Sequence, residues 1–487
     1  MSRARTHRRR AWLPVAAAGI VVSAVTLNAL VSHELSSATD ASTTLFGEGG
    51  SFAEPMINKL QADAASTIAP LVPAYFDANI DQGRDDFASG VADYAVSEVP
   101  LTATEATTAA QNGRSFAYVP FAASAIAIGA VILCSNDSSL TPTTLCPNLQ
   151  MTVPQLAEVF TSTADEWTEP VFAQSQGGSP ITPIDASRSI SPIHEVDPTA
   201  LNLGLQTLFL NNTVAKPIWE SFLTLNKISS DTPTEHWPTG GGATGGDEQV
   251  ADDLVPVNET DGVAQSNPSL WGQGAIAPLP VDWLGLPRNI PTFKIMNAAG
   301  AYVGPTAAAM TAAENHITFD PATNLVTFGF SATDTAAYPI PAMSYLIVPT
   351  SGLSQAKATA LAAFIRFVLG SQGQADVEAL GAAPVTPAMV AAGLQVAGTV
   401  ATQSGTGMSA STTGTTSPAV AAEAETGATS QSGSSTDLTA ETETGPTLAA
   451  TGGVPWSLVI AGALLAAVGS VFRRLARRGV LVRGADR

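Results

Sequence analysis

The sequence predicts an α/β protein with two lobes joined by two crossing segments. Residues 47–55 read Gly-Glu-Gly-Gly-Ser-Phe-Ala-Glu-Pro, a glycine-rich turn that leads into a helix starting near Pro55. Apolar residues alternate through Phe116–Leu133 and again through Tyr338–Val348. These two stretches predict long strands that carry the chain out of one lobe and back into it.

The turn at the start and the helical pattern near the end both belong to lobe one in this interpretation. We expect lobe one to comprise residues 45–121 and 344–394, and lobe two to comprise residues 130–334. The chain then crosses near 121–130 and near 334–344. A double crossing of this kind is expected to form a hinge between the lobes.

Two short segments predict one ligand clamp. Ser51 and Phe52 precede a helix N-terminus, where backbone N–H groups and the positive end of the helix dipole face one point. Residues 90–102 predict a short alternating strand that ends at Ser97 and Glu98. Because ligands of open α/β sheets gather at strand ends, both segments should line one cleft that suits an anion or a polar oxygen.

These segments resemble the phosphate-binding subunits of bacterial phosphate ABC transporters, which have the type II periplasmic-binding-protein fold. Residues 47–55 are similar to the family turn Gly-x-Gly-x-Thr-Phe-x-x-Pro, and residues 97–101 to Ser-Asp-x-Pro-Leu. The resemblance spans roughly residues 45–394. It implies that Ser51 donates a hydroxyl hydrogen bond, that Phe52 donates a backbone N–H, and that Glu98 replaces the Asp that accepts the proton of a protonated phosphate.

Other family elements are altered. A run of hydroxyl and glycine residues is replaced by residues 79–83, in which Asp81 is expected to repel phosphate. The family run Arg-x-Asp-x-Ser-Gly-Thr corresponds to residues 194–202, which contain Thr199 but no Arg in register. Arg188 lies upstream and is either a substitute ligand group or a surface residue. The structural alternative for Ser97 is that it satisfies the backbone at the strand end, and for Glu98 that it caps a nearby turn.

A segment after the fold's middle carries glycine and then acid. Residues 239–246 are glycine-rich, lack a phosphate-loop Lys and are interpreted as structural. The next segment is acidic and contains Asp247, Glu248, Asp252, Asp253 and Glu259. We expect it to be a solvated loop, and calcium binding is the alternative.

The expected function is binding of a small, phosphate-like oxyanion between the lobes, for uptake or sensing, by a monomer that serves a possible ABC permease. Loss of the bidentate Arg removes a charge-assisted interaction of about 1.5–3 kcal/mol, so phosphate binding should be weak or absent. The alternative is a surface interaction or scaffold protein with a degenerate site. No catalysis, cofactor or metal site is expected, because His194, His236 and His316 show no metal-ligand spacing and no Gly-x-Ser-x-Gly motif occurs.

Charge limits the partners. The first ten residues hold five Arg and the segment after Phe472 holds six basic residues, which leaves ten basic residues between them, against 38 acidic residues in positions 42–472. The strongly acidic middle argues against nucleic acid and anionic membranes as partners. It does not exclude a small anion held by local N–H groups.

Two cysteines, Cys134 and Cys146, flank a loop rich in Ser, Thr and Pro. In an exported chain the pair is expected to form one local disulfide, and two unpaired thiols are the alternative.

Both ends of the chain carry targeting patterns. Residues 1–41 have the basic, apolar and small-residue regions of a signal peptide, or else form an uncleaved anchor. Residues 401–447 are expected to be a disordered stalk. Residues 448–487 then contain a predicted transmembrane helix at 454–472 with a basic tail.

The residues before that helix resemble the Leu-Ala-x-Thr-Gly signal of a class of Gram-positive sortases, through Leu448, Ala449, Thr451 and Gly452. The resemblance implies a secreted protein that a sortase joins to the cell wall through Thr451. An ordinary C-terminal membrane anchor is the alternative.

Overall fold

The computed structural model of the chain describes residues 43–68, 71–135, 143–146, 148–175, 181–183, 187–239, 245–255, 257–258, 263–264, 274–285 and 287–403. The strands are β1 Thr43–Gly49, β2 Leu71–Asp77, β3 Tyr94–Ser97, β4 Phe116–Val131, β5 Leu133–Ser135, β6 Thr143–Leu145, β7 Gln150–Met151, β8 Ser191–Pro192, β9 Val257–Asn258, β10 Val263–Ala264, β11 Ala275–Pro280, β12 Lys294–Met296, β13 Tyr302–Val303, β14 Ile317–Asp320, β15 Leu325–Phe328, β16 Pro341–Pro349 and β17 Ala383–Pro384.

The helices are α1 Glu54–Thr67, α2 Ile80–Ser89, α3 Ala103–Gln111, α4 Val153–Phe160, α5 Pro170–Ser175, α6 Ala200–Asn211, α7 Ala215–Leu225, α8 Gly246–Leu254, α9 Ala307–Glu314, α10 Gln355–Val368, α11 Ser371–Ala379 and α12 Pro387–Thr402. Two 3-10 turns cover Ser51–Ala53 and Val281–Trp283.

A mixed sheet in the described residues runs in the order β2-β1-β3-β16-β4-β11-β8, and β17 also pairs with β4. The pairs β1 with β2, β1 with β3 and β11 with β8 are parallel. The pairs that involve β4 or β16 are antiparallel. The sheet therefore has a parallel group at each end and an antiparallel centre.

The two long predicted strands are present as β4 and β16, which pair with each other at the centre of the sheet. Strand β4 pairs with β16 over residues 116–125 and with β11 over residues 126–131. It thus changes partner at the position where we expected the first crossing between lobes.

Strand β3 differs from the expected alternation, because all four of its residues are buried. It lies between β1 and β16 in the interior of the sheet. A strand covered on both faces has no solvent side, so it needs no polar residue at every second position.

Helix α10 confirms the predicted helical spacing. Ser354 caps its first turn by accepting a hydrogen bond from the Lys357 backbone N–H at 3.4 Å. Its buried face comprises Ala358, Leu361, Ala362, Phe364, Ile365 and Val368. These side chains join the main hydrophobic core, which also contains Leu45 of β1 and Tyr94 of β3.

The last helix, α12, extends beyond the predicted end at Leu394 and into the start of the predicted stalk. Val396, Ala397 and Val400 are buried on it. Gln403 follows the helix and donates to the Pro349 carbonyl at 3.1 Å while it accepts from the Leu353 N–H at 3.0 Å. Packing of this helix therefore extends the described fold to residue 403.

Cys134 and Cys146 form a disulfide, with Cα atoms 5.0 Å apart, as the sequence predicted. Within the described segments no helix is long and apolar enough to cross a membrane. The predicted signal peptide, most of the stalk, the sorting signal and the transmembrane helix at 454–472 lie outside the described residues.

Candidate functional site

A cavity of about 270 Å³ lies where the sheet ends meet several helix starts. This volume is slightly below the usual range for drug-sized ligands, so it suits a small solute. Its lining consists of Gly50, Ser51, Phe52, Asp77, Ala78, Asn79, Ile80, Glu98, Glu195, Asp197, Pro198, Thr199, Ala200, Gly245 and Gly246.

Helix N-termini converge on this cavity. The 3-10 turn that begins at Ser51 leads into α1, Asn79 caps α2, and Thr199 caps α6. The Asn79 side chain accepts from the Gln82 N–H at 3.0 Å, and the Thr199 hydroxyl accepts from the Leu201 N–H at 3.3 Å. The first N–H groups of each helix have no partner inside the helix, so they offer donors and positive dipole ends to a ligand.

Close backbone contacts hold the first two of these N-termini together. A Cβ on Gly83 of α2 would lie 2.5 Å from the Gly49 Cα, which leaves room only for glycine. The Tyr75 hydroxyl donates to the Gly50 carbonyl at 2.8 Å and fixes the turn before Ser51. The glycine-rich sequence thus brings α2 directly against the end of β1.

Carboxyl side chains accompany the N–H donors. Asp77, Glu98, Glu195 and Asp197 all belong to residues that line the cavity. Burial raises the pKa of Glu98 to about 8, although the Ser344 hydroxyl donates to its carboxyl at 2.9 Å. Burial also raises the pKa of Glu195 well above its ordinary value, and the nearby Asp247 carboxyl adds to the shift. At neutral pH these two groups favour the protonated form.

Ser51 is bonded to a residue from the distant helix α8. Its hydroxyl Oγ lies 2.8 Å from Asp247 Oδ2 and accepts from the Asp247 backbone N–H at 2.9 Å. Gly246 approaches Ser51 with a φ of +77°, and a Cβ there would lie 2.9 Å from the Ser51 Oγ. The Trp283 indole N–H donates to the Ser51 carbonyl at 2.9 Å. Ser51 is therefore the point where segments of both predicted lobes meet.

No Lys or Arg lines the cavity within the described residues, which include all ten basic residues between positions 43 and 403. Arg84 of α2 does not line the cavity, although its charge lowers the pKa of Glu98 against the effect of burial. Its guanidinium is already paired with Glu105 and Glu235. In the described part of the chain, no three acidic, His or Cys side chains are placed to hold a metal ion.

Four of the six predicted ligand residues, Ser51, Phe52, Glu98 and Thr199, line the cavity together. Ser97 is fully buried beside it, and its hydroxyl donates to the Val99 carbonyl at 2.6 Å. It therefore serves the turn after β3, the structural alternative that the sequence left open.

The structure does not bring Arg188 into the cavity lining. The Arg188 Nε donates to Glu166 Oε2 at 2.8 Å, and half of the Arg188 side chain is exposed. Asp81 is also absent from the lining; it lies in the first turn of α2, where its carboxyl accepts from the Gln82 N–H at 2.8 Å. The acidic residues that do line the cavity are Asp77, Glu98, Glu195 and Asp197.

The decisive comparison is with a family model. The model of the PBP superfamily domain matches residues 36–372, which is more than half of the chain. This chain belongs to the PBP superfamily. The match includes every residue that lines the cavity.

Individual PBP superfamily relatives are distant. The phosphate-binding protein PstS of Xylella fastidiosa strain Temecula1 is 22% identical over 349 residues, which cover 72% of this chain and 83% of the relative. The PstS of strain 9a5c shows the same identity and coverage. Both relatives carry phosphate binding in their names.

Solved structures support the superfamily fold. A high-affinity periplasmic phosphate-binding protein, PfluDING, has a TM-score of 0.51 at 18% identity, over 72% of this chain and 92% of its own. The ancestral soluble variant of the human phosphate-binding protein has a TM-score of 0.50 at 18% identity, over 72% and 93%. At this identity the likeness establishes the α/β fold of the superfamily.

Several site residues were missed by sequence reasoning. Asp77 ends β2, Glu195 precedes the Thr199 cap, and Asp247 follows a glycine pair that we interpreted as structural. Asp247 is fully buried in α8, so the expected solvated loop is wrong at this position. The usable signal was the apolar spacing of Val250, Ala251 and Leu254, which indicates a helix with one buried face.

Proposed function

We propose that this PBP superfamily protein binds a small oxyanion that carries its own proton, such as phosphate, in the cavity at Ser51, Phe52, Glu98 and Thr199. The observation that carries the proposal is the convergence of the N-termini of α1, α2 and α6 on one small cavity. Helix N-termini bind phosphate and sulfate without a cation, because backbone N–H groups and the helix dipoles face the anion.

The carboxyl groups fit such a ligand if they stay neutral. A protonated carboxyl can donate one hydrogen bond, whereas a carboxylate only accepts. The raised pKa values of Glu98 and Glu195 favour the donating form at neutral pH. Any carboxylate that remains ionised needs a donor from the ligand, and a protonated phosphate supplies one.

This arrangement gives the proposed selectivity its physical basis. Sulfate carries no proton at neutral pH, so it has no hydrogen to offer to the carboxyl oxygens that line the cavity. An unpaired buried polar group costs about 1–3 kcal/mol. Phosphate should therefore bind more tightly than sulfate by roughly tenfold or more.

Calorimetric titration of a cavity-blocking variant tests where the ligand binds. Ala78→Phe places a ring in the cavity lining, and Ala110→Phe makes the same change on the exposed surface of α3. We expect wild type and Ala110→Phe to bind one phosphate each, and Ala78→Phe to bind none. Binding that survives in Ala78→Phe would place the ligand elsewhere.

A second candidate function is a surface interaction or scaffold protein with a closed site. Engagement of the Ser51 hydroxyl by Asp247 and the absence of a cation from the described lining favour it. Failure of phosphate, sulfate and arsenate to bind would support this candidate. Binding of a diamine such as putrescine in their place would contradict both candidates and identify the cavity as a cation site.

We also propose that the protein is exported and attached to the cell surface, where it could serve a permease. The support is the Leu-Ala-x-Thr-Gly pattern, the apolar segment at 454–472 and the basic tail. Thr451→Ala should release the protein from the covalent cell-wall fraction, because a sortase cuts after this Thr. Unchanged wall attachment would leave the membrane anchor as the explanation.

A further inference from the structure

The Ser51 hydroxyl has a single hydrogen, and the structure gives it an internal acceptor. Its oxygen lies 2.8 Å from Asp247 Oδ2 and accepts the Asp247 backbone N–H at 2.9 Å. A hydroxyl has one donor hydrogen and two acceptor lone pairs. While Asp247 is ionised and accepts that hydrogen, Ser51 can offer a ligand only a lone pair, which repels an anion.

Asp247 sits in an acidic, buried position. Its side chain is 0% exposed, and its Oδ1 has no hydrogen-bond partner among the described residues. Its charge interacts with acidic groups from four neighbouring elements: Glu54 of α1, Glu98 after β3, Glu195 before α6, and Asp282 of the second 3-10 turn. Asp77 at the end of β2 lies beside the adjacent Gly246.

The basic groups of neighbouring segments, Arg288 and Arg84, are paired with other carboxyl groups. Arg288 pairs with Asp252 at 2.5 Å and with Glu248 at 4.0 Å, both on α8. Arg84 pairs with Glu105 and Glu235 and lowers the pKa of Glu98. An ionised Asp247 is therefore held mainly by the Ser51 hydroxyl, and its remaining oxygen is unsatisfied.

We propose that Asp247 takes up one proton from solvent when an oxyanion binds and thereby turns the Ser51 hydroxyl toward the ligand. The inference rests on the proposed function. In the bound state Asp247 Oδ2 donates its new hydrogen to Ser51 Oγ, and Ser51 donates its own hydrogen to a ligand oxygen. Ser51 Oγ then accepts two hydrogen bonds, from the Asp247 backbone N–H and the Asp247 carboxyl O–H, and donates its one hydrogen to the ligand.

The surroundings make this proton available near neutral pH. Burial raises the pKa of Asp247 above its ordinary value of 3.8, and the Glu54 carboxylate adds to the rise, while the Ser51 hydrogen bond opposes it. A bound anion adds negative charge beside the carboxyl and raises the pKa further. Asp247 therefore acts as a specificity residue that couples oxyanion binding to proton uptake.

Asp247→Asn tests the coupling, because the amide N–H₂ mimics the protonated carboxyl and donates to Ser51 permanently. Calorimetry of the full chain with inorganic phosphate at pH 8, in buffers of different ionisation enthalpy, measures the protons taken up with each ligand. We expect the variant to bind at least tenfold more tightly than wild type and to take up about one proton fewer. Asp253→Asn is the matched control, because it makes the same substitution on the same helix at a side chain that is bonded to Gln249. Its phosphate Kd and its proton uptake should equal those of wild type.

A double-variant comparison separates the hydroxyl from simple charge removal. If Asp247 acts through Ser51, the gain from Asp247→Asn should shrink at least threefold when it is made in Ser51→Ala. An equal gain in both backgrounds would overturn the inference, and so would unchanged proton uptake in Asp247→Asn.

The results also separate this inference from the proposed function. If wild type binds phosphate, and Asp247→Asn shows the same Kd and the same proton uptake, the proposed function stands and the inference is wrong. Binding by Asp247→Asn but not by wild type supports the inference, since it shows Asp247 withholding Ser51. Absence of binding in both proteins removes both proposals.

Discussion

Arg84 and Glu235 form a buried ion pair, with Arg84 Nη2 2.9 Å from Glu235 Oε2. Arg84 belongs to α2, whose start lines the cavity, and its Nε also contacts Glu105 at 3.0 Å. The Glu235 carbonyl accepts the N–H of Thr199, which also lines the cavity. The pair therefore ties together two cavity walls that come from the two predicted lobes.

Removal of this cation should destabilise the fold. Arg84→Met leaves the Glu105 and Glu235 carboxylates without their partner in a buried place, which costs about 3–5 kcal/mol of unfolding free energy. Urea denaturation followed by circular dichroism measures the loss. Arg366→Met removes an exposed Arg and should change stability by about 0.5 kcal/mol or less. Equal effects of the two changes would show that the Arg84 pairs are not stabilising.

Stability should fall as the pH rises because of Glu48. This side chain is 4% exposed, and burial together with the nearby Asp86 raises its pKa from 4.5 to about 8. Between these pH values the folded protein keeps a proton that the unfolded chain releases. The contribution of protonated Glu48 to the free energy of unfolding is therefore fully present below about pH 4.5 and is lost as the pH rises through about 8.

Urea midpoints measured from pH 5 to pH 8 test this dependence. Glu48→Gln cannot ionise, so its midpoint should fall less than that of wild type over the same range. Parallel curves for the two proteins would show that Glu48 does not titrate as its surroundings imply.

The disulfide should contribute to stability through the loop that it closes. Cys134 and Cys146 are 12 positions apart, and closing a loop of this size stabilises a fold by about 3 kcal/mol in the chain-entropy account. A Cys134→Ser, Cys146→Ser double variant should lose about that amount in urea denaturation. A reducing agent should lower the stability of wild type toward that of the variant and leave the variant unchanged. Insensitivity of wild type to reduction would contradict the assignment.

Arg188 should be neutral for ligand binding. Its guanidinium donates to Glu166 on the surface and does not line the cavity, so Arg188→Ala should change the phosphate Kd by less than about twofold. Ser51→Ala, by comparison, should weaken binding about tenfold, because it removes a hydroxyl donor. A tenfold loss in Arg188→Ala would return Arg188 to the ligand set.

Local sequence signals predicted the parts of the site that depend on neighbouring residues. The glycine-rich turn predicted the helix start beyond Ser51, and the family resemblance of residues 194–202 implied Thr199, whose hydroxyl caps α6 at the cavity. Each of these depends on backbone conformation within a few positions, which residue types such as Gly, Pro and Thr determine directly.

The remaining site residues depend on contacts between distant segments. Asp247 lies 196 positions from Ser51 and looked like one member of a solvated acidic loop. Arg84 and Glu235 are 151 positions apart, and nothing in either local sequence indicates the other. Burial of a charged side chain follows from the packing of whole elements, so composition and spacing could not reveal these partners.

The pH dependence of phosphate affinity tests the central claim most directly, that helix N–H groups and neutral carboxyls hold a protonated oxyanion. Calorimetric Kd values for wild type at pH 6 and pH 8.5 would bracket the pKa of about 8 at Glu98. The claim predicts at least tenfold weaker binding at pH 8.5, a smaller change in Glu98→Gln, and weaker binding of sulfate than of phosphate at pH 6. Equal or tighter phosphate binding by wild type at pH 8.5 would contradict it.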